Sequence, residues 1–158
     1  FWLYAHHLNG TKARPELDIM EAYPGGGTAG WWGTSDLRPN QYGLTIHKAN
    51  ADYSYHETPY ATKMRDFSPY NNNPLDLSGG YYTYGMLWEP DGVTFYFAGK
   101  QIGPKWMDTA RYFDMEMYVL LDVWLGSASG SFSENDSRII RGKSNSFEID
   151  YVRVWQLK

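Results

Sequence analysis

An all-β fold is predicted, and three observations predict it. The periodic segments are short and alternate apolar with polar residues at period two, as half-buried strands do. Clusters of Gly, Pro, Asn, Asp and Ser separate them, and only 106–113 has even brief helical spacing. The strand-like runs are rich in Tyr, Val, Ile, Phe, Thr and Trp, side chains that suit a pleated surface. At 158 residues, 42% hydrophobic, the chain fits one domain over 1–158 with one substantial core. A strand-rich chain of this size implies two packed sheets, a sandwich or jelly roll.

In chain order, the first complete strand is expected at 16–22, where Leu17 and Ile19 alternate with acids. Strands at 41–48, 81–89 and 93–97 follow, the last two joined by Glu89-Pro90-Asp91-Gly92, which supplies Pro and Gly where a tight hairpin turn wants them. Ala98-Gly99-Lys100 turns the chain again, and strands at 117–124 and 147–156 complete the set. Long polar connections remain at 23–40, 49–78 and 127–146. Connections of that length in a compact domain are usually functional, and these are expected to wall a cleft.

Composition narrows the partners. With 14 basic and 18 acidic residues the net charge is -4, without a long single-sign run, so nucleic acid and anionic membranes are not expected partners. No cysteine is present, which excludes a disulfide framework and a thiolate zinc site. The opening at Phe1 reads as the inside of a strand, and neither a signal peptide nor a membrane span is expected in these residues. Asn9-Gly10-Thr11 and Asn135-Asp136-Ser137 fit the glycan acceptor triplet, a pattern common by chance. Aromatic residues make up 18%, with 14 Tyr and 7 Trp, and these present flat apolar faces with a polar edge to a ligand.

Three acids crowd Glu16-Leu17-Asp18-Ile19-Met20-Glu21. In a regular strand Glu16 and Asp18 share a face, and Glu21, at odd separation, points to the other. Glu21 joins them only through a β-bulge, the one-residue insertion that re-aims side chains near active sites. With the bulge absorbed, Glu16 and Glu21 stand about four strand steps apart, roughly 13 Å between backbones, a gap that two leaning side chains largely close. Retaining glycosidases place their carboxyl groups about 5–5.5 Å apart and inverting ones about 6.5–9.5 Å apart, so the spacing favours retention. Asp18, between them, holds a proton or hydrogen bond near the nucleophile and keeps the two glutamates' ionisations apart. The bare pattern arises by chance in a chain like this on the order of once in fifty. A solvated acidic face is therefore the competing reading, and context decides.

That context resembles glycoside hydrolase family 16, whose bulged catalytic strand reads Glu-hydrophobic-Asp-hydrophobic-hydrophobic-Glu, as residues 16–21 do. Phe1-Trp2-Leu3 is similar to the family's strand before that site, and Tyr82-Thr83-Tyr84-Gly85 with Leu87-Trp88-Glu89-Pro90-Asp91 to its later hairpin. Phe95-Tyr96-Phe97-Ala98-Gly99-Lys100 is similar to the return strand and Asp150-Tyr151-Val152-Arg153-Val154-Trp155 to the closing strand. The segments follow the family's order along nearly the whole chain. The resemblance implies a concanavalin A-like jelly roll of two curved antiparallel sheets whose concave face cradles a polysaccharide. It also implies a secreted, monomeric, retaining endo-hydrolase with Glu16 as nucleophile, Glu21 as general acid/base and Asp18 assisting. There are two departures. Family members carry further strands before the Phe-Trp segment, so an N-terminally truncated domain is expected, and the family's Asn in the strand aligned with 117–126 is Asp122, with Trp124 where smaller residues are usual.

Further candidates each have a packing role as the alternative. Trp31 and Trp32 follow the acidic strand in a Gly-rich loop and offer indole faces for a sugar ring, or an anchor under the sandwich. His47 lies on a strand similar to the one beside the catalytic strand, where it hydrogen-bonds sugar or carboxylate, or serves as a structural histidine. Asp122 and Trp124 share a strand face and line the cleft if that face is concave. Asp150 matches a position that holds calcium on the convex side in the family, although one carboxylate is far fewer than the six to eight oxygens calcium takes. Calcium is thus an optional structural ion, and catalysis needs no cofactor. His6-His7 is rejected as a metal site because adjacent strand residues point opposite ways.

The expected substrate is a β-linked polysaccharide, β-1,3-glucan ahead of a red-algal galactan. A non-catalytic carbohydrate-binding module on the same scaffold is the alternative, and transglycosylation a weaker one.

Overall fold

The computed structural model describes residues 1–5, 15–22, 42–50, 54, 56–64, 67, 70, 75–107, 116–123, 126–127, 130–131 and 146–156. Among them the regular structure is strand, with one short 3-10 turn at Leu77–Gly79. The strands are β1 (Trp2–Tyr4), β2 (Glu16–Glu21), β3 (Gly43–Ala49), β4 (His56–Lys63), β5 (Tyr84–Glu89), β6 (Gly92–Phe97), β7 (Lys100–Met107), β8 (Tyr118–Leu120), β9 (Gly126–Ser127) and β10 (Gly130–Ser131). They form an antiparallel five-stranded sheet in the order β4-β3-β2-β1-β8, an antiparallel three-stranded sheet β5-β6-β7, and the small β9-β10 ladder. No helix among the described residues is long and apolar enough to cross a membrane.

The two larger sheets form a β-sandwich, and the alternation of the strands dictates what lies between them. From the five-stranded sheet come Leu3, Leu17, Ile19, Leu44 and Ile46; from the three-stranded sheet come Val93, Phe95, Phe97 and Ile102. Aromatic contacts fasten one sheet to the other. Tyr60 stacks on Phe95 at 5.8 Å between ring centroids, and Tyr42 meets Tyr84 edge-on at 5.1 Å. Tyr70 caps the end of this layer by donating its hydroxyl to the Phe97 carbonyl at 3.1 Å.

Turn chemistry fixes the three-stranded sheet. Ala98 and Gly99 both have positive φ, 49° and 77°, the left-handed pair that a two-residue hairpin between twisted strands requires. Gly92 opens β6 with φ 156°, and a Cβ built there would lie 2.0 Å from the Trp106 carbonyl oxygen. We therefore expect Gly92→Ala to cost about 3 kcal/mol and to lower Tm by roughly 6–12 °C. An unchanged melting curve would contradict this packing.

Several expected elements differ in the structure. β4 lies inside 49–78, which reads as a loop because its sequence, His-Glu-Thr-Pro-Tyr-Ala-Thr-Lys, is polar and carries a proline. It is an edge strand whose register slips opposite Ile46/Lys48, and Pro59 falls in that slip, where no ladder donor is missed. β7 runs through Trp106, so the helical spacing at 106–113 gives strand at 106–107, and the remainder lies outside the described residues. β7 contains Pro104 and a register shift opposite Val93/Phe95, which blurs its period. The strand expected at 117–124 is confined to Tyr118–Leu120.

No ladder forms at 147–156, although the alternation there is strong. The segment is exposed throughout, and it is tied by side chains, Tyr81 donating to Glu148 at 2.6 Å and Ser146 to the same carboxylate at 3.1 Å. Alternation favours an extended backbone, but a strand also needs a partner edge in register.

Candidate active site

β2 is the central strand of the larger sheet and carries all three acids. Its pairing with β3 places Glu16 opposite His47, Asp18 opposite Thr45 and Glu21 opposite Gly43. Three steps on β2 from Asp18 to Glu21 thus face two on β3, which is the one-residue bulge that the spacing requires. On the other side of β2 the amides of Ile19 and Met20 both donate to the Phe1 carbonyl, at 2.9 and 3.0 Å. The extra residue is therefore in the Ile19–Met20 pair. Ile19 belongs to the core and Met20 packs against it, so Glu21 emerges on the same face as Glu16 and Asp18.

Opposed residues on neighbouring strands share a face, so the register also identifies the surroundings of the acids. Trp2 is opposite both Asp18 and Leu120, and Tyr4 opposite both Glu16 and Tyr118. The Trp2 and Tyr4 rings pair at 5.3 Å and a 41° tilt, forming an aromatic wall along the acidic strand. Trp2 Nε1 donates to Asp122 Oδ1 at 2.6 Å, which brings Asp122 to this face from just beyond β8. Neither Trp2 nor Tyr4 stands out in the sequence as a ligand-facing residue, although the period-two relation of β1 to Asp18 marks them.

Side-chain contacts tie the acids to β3, and His47 ties β3 to β4. Thr45 Oγ1 donates to Glu21 Oε2 at 2.9 Å. His47, 5% exposed, places Nε2 3.2 Å from Asp18 Oδ2. That contact is within ion-pair range but off the hydrogen-bond line, and Oδ2 has no hydrogen-bond partner. On its other side His47 Nδ1 is 3.0 Å from His56 Nε2 and 3.1 Å from Thr58 Oγ1. The two imidazoles stack at 5.1 Å.

Burial is the main influence on the ionisation of Glu16 and Asp18. It pushes Glu16 up to about 7, helped by the negative charges of Asp18 and Glu21 and opposed by His47. It pushes Asp18 up to about 8, helped by Glu21, while the hydrogen bond with Glu16 works the other way. The two carboxyls titrate as a pair, and near neutral pH they share a proton between them.

The sign of the stability effect follows. Both carboxyls are raised in the folded state, so the stability that protonation supplies is fully present below the ordinary carboxylate range near 4 and is lost as pH rises through about 7 and about 8. We expect Tm to fall by on the order of 10 °C or more between pH 5 and pH 9 through this pair, and Asp18→Asn to remove most of that fall and to raise Tm at pH 9. Thermal melts of both proteins across this range check it. A parallel pH dependence in the variant would contradict the shared proton.

The remaining candidates are apart from this group. Asp150 is exposed in 146–156 and belongs to no cluster of three ligand side chains among the described residues. Trp31, Trp32 and Trp124 lie outside the described residues, as do His6 and His7. Comparison with protein-family models, curated proteins and solved structures finds no match to this chain.

Proposed function

We propose that the protein is a retaining endo-glycoside hydrolase acting on a β-linked polysaccharide, with β-1,3-glucan ranked ahead of a red-algal galactan. The observation that carries this reading is the bulge at Ile19–Met20, which aligns Glu21 with Glu16 and Asp18 on one aromatic-walled face. A solvated acidic face has no need of a buried acid between two others, and Asp18 is 3% exposed. The resemblance of residues 16–21 to the bulged catalytic strand of glycoside hydrolase family 16 points the same way.

In this mechanism the Glu16 carboxylate attacks the anomeric carbon as Glu21 gives its proton to the departing glycosidic oxygen. A glycosyl ester on Glu16 results. Glu21, now a carboxylate, takes a proton from water as the water's oxygen attacks the same carbon and Glu16 departs, so configuration is retained. Asp18 shares a proton with Glu16, and the nucleophile carries the charge when that proton is on Asp18. Thr45 holds Glu21 by its hydroxyl, and Trp2 and Tyr4 offer rings on which sugars stack.

The test is reducing-end release from laminarin, mixed-linkage glucan, agarose and carrageenan, with proton NMR of the first-formed anomer. Release with a β product supports retention. An α product would replace it with inversion, and binding of the polymers without release would favour a carbohydrate-binding module.

A further inference from the structure

We propose that Glu16, Asp18 and His47 form a binding site for a divalent transition-metal ion of the zinc class, seated against the acidic pair. Each of the three offers one donor atom, and these atoms lie within 4.8 Å of one another. The register builds the set: His47 is directly opposite Glu16, and Asp18 is one pair along on the same face.

A second observation points to a ligand. Asp18 Oδ2 is buried without a hydrogen-bond donor, and the nearby basic atom is His47 Nε2 at 3.2 Å. A buried acceptor left without a donor is costly, and a cation bonded to both atoms relieves it. The separation suits such a bridge. Two ligand bonds of about 2.1 Å at angles between octahedral and tetrahedral put the donor atoms about 3.0–3.4 Å apart.

The outer contacts of His47 suit the same role. Its Nδ1 is held by His56 Nε2 and Thr58 Oγ1, the latter brought opposite by the slip in β4, and this leaves Nε2 to face Asp18. A ligating imidazole commonly has its other nitrogen anchored in this way, which fixes the ring's aim. One imidazole with two carboxylates selects ions of the zinc class over magnesium and calcium, which take oxygen sets. An ion there bonds the Glu16 carboxylate and inhibits hydrolysis competitively; that consequence rests on the proposed function, whereas binding does not.

The experiment is a Zn²⁺ titration of chelator-treated protein at pH 7.5 in competition with a chromogenic chelator, with hydrolysis measured in parallel. We expect one equivalent bound at this site, affinity about 100-fold weaker in His47→Gln and about tenfold weaker in His56→Gln, and no displacement by Mg²⁺ or Ca²⁺ at equal concentration. His56 is exposed, so its variant keeps the test decisive if His47→Gln fails to fold. Failure to compete for Zn²⁺, full affinity in the histidine variants, or displacement by Mg²⁺ would overturn the proposal. Histidine-dependent binding in a protein without hydrolytic activity would uphold the metal site and defeat the hydrolase reading.

Discussion

If the protein is the proposed hydrolase, Glu16→Gln and Glu21→Gln are each expected to lower the turnover of a β-linked polysaccharide by roughly 10⁴-fold or more while the fold and polymer binding persist. Both replacements keep shape and remove charge. An amide in place of the Glu16 carboxylate cannot form the glycosyl ester, and an amide in place of the Glu21 carboxyl cannot deliver a proton, so the two variants fail at different points. Azide separates them. With an activated aryl glycoside, Glu16→Gly opens a space in which azide attacks the anomeric carbon directly and yields the α-glycosyl azide. Glu21→Gly still forms the ester, and azide then yields the β-glycosyl azide. Hydrolysis within tenfold of the native rate in either glutamine variant, or exchanged azide products, would reject the assigned roles.

A paired change of strand length has the second largest effect, and it follows from the parity of β2. Deleting Met20 straightens the strand but leaves Glu21 four residues beyond Glu16, at even separation and on the same face. Inserting one Gly after Met20 instead turns Glu21 toward Leu17, Ile19 and the core. The deletion is expected to keep activity within about 100-fold of native, because it costs one of the two amide bonds to the Phe1 carbonyl and shifts Glu21 by a fraction of a step. The insertion is expected to abolish activity and to lower stability by several kcal/mol, on the order of what an unpaired buried carboxylate costs. Kinetics and thermal melts of the two variants check this. Activity lost equally in both would mean that the bulge itself, and not the face it selects, is what matters.

The acidic strand was legible because two rules conflict within six residues. Period two places Glu21 with the core residues, burial of a charge forbids that, and a bulge resolves it. Strands β3 and β6 were legible for a simpler reason: apolar residues recur at every second position, Leu44 and Ile46 in the one and Val93, Phe95 and Phe97 in the other, and β5 was marked by the Pro-Asp-Gly turn that follows it. β4 and β7 escaped because each is an edge strand with an internal proline at a register slip, which breaks the period that a reader of the sequence counts. The opposite error occurred at 147–156, where Val152, Val154 and Trp155 suggest a ladder that the fold does not pair.

Within the site, the shared face of Glu16, Asp18 and Glu21 was expected from spacing and His47 was a candidate partner for a carboxylate, whereas His56, Thr58, Trp2 and Tyr4 were not singled out. His56 and Thr58 lie on the unexpected strand β4, so their approach to His47 depends on a register that no local pattern encodes. Trp2 and Tyr4 reach the acidic face only through the antiparallel pairing of β1 with β2, a contact between segments that are separate in sequence. The raised proton affinity of Asp18 has the same origin. It depends on burial and on Glu21 being turned to its side, both of which are properties of the assembled sheet.

The most direct test of the central claim is release of reducing ends from laminarin, mixed-linkage glucan, agarose and carrageenan by the native protein beside Glu16→Gln. Release from one substrate class, laminarin first, that disappears in the variant is the expected result. Silence on all four from folded native protein, or release that survives in Glu16→Gln, would contradict it.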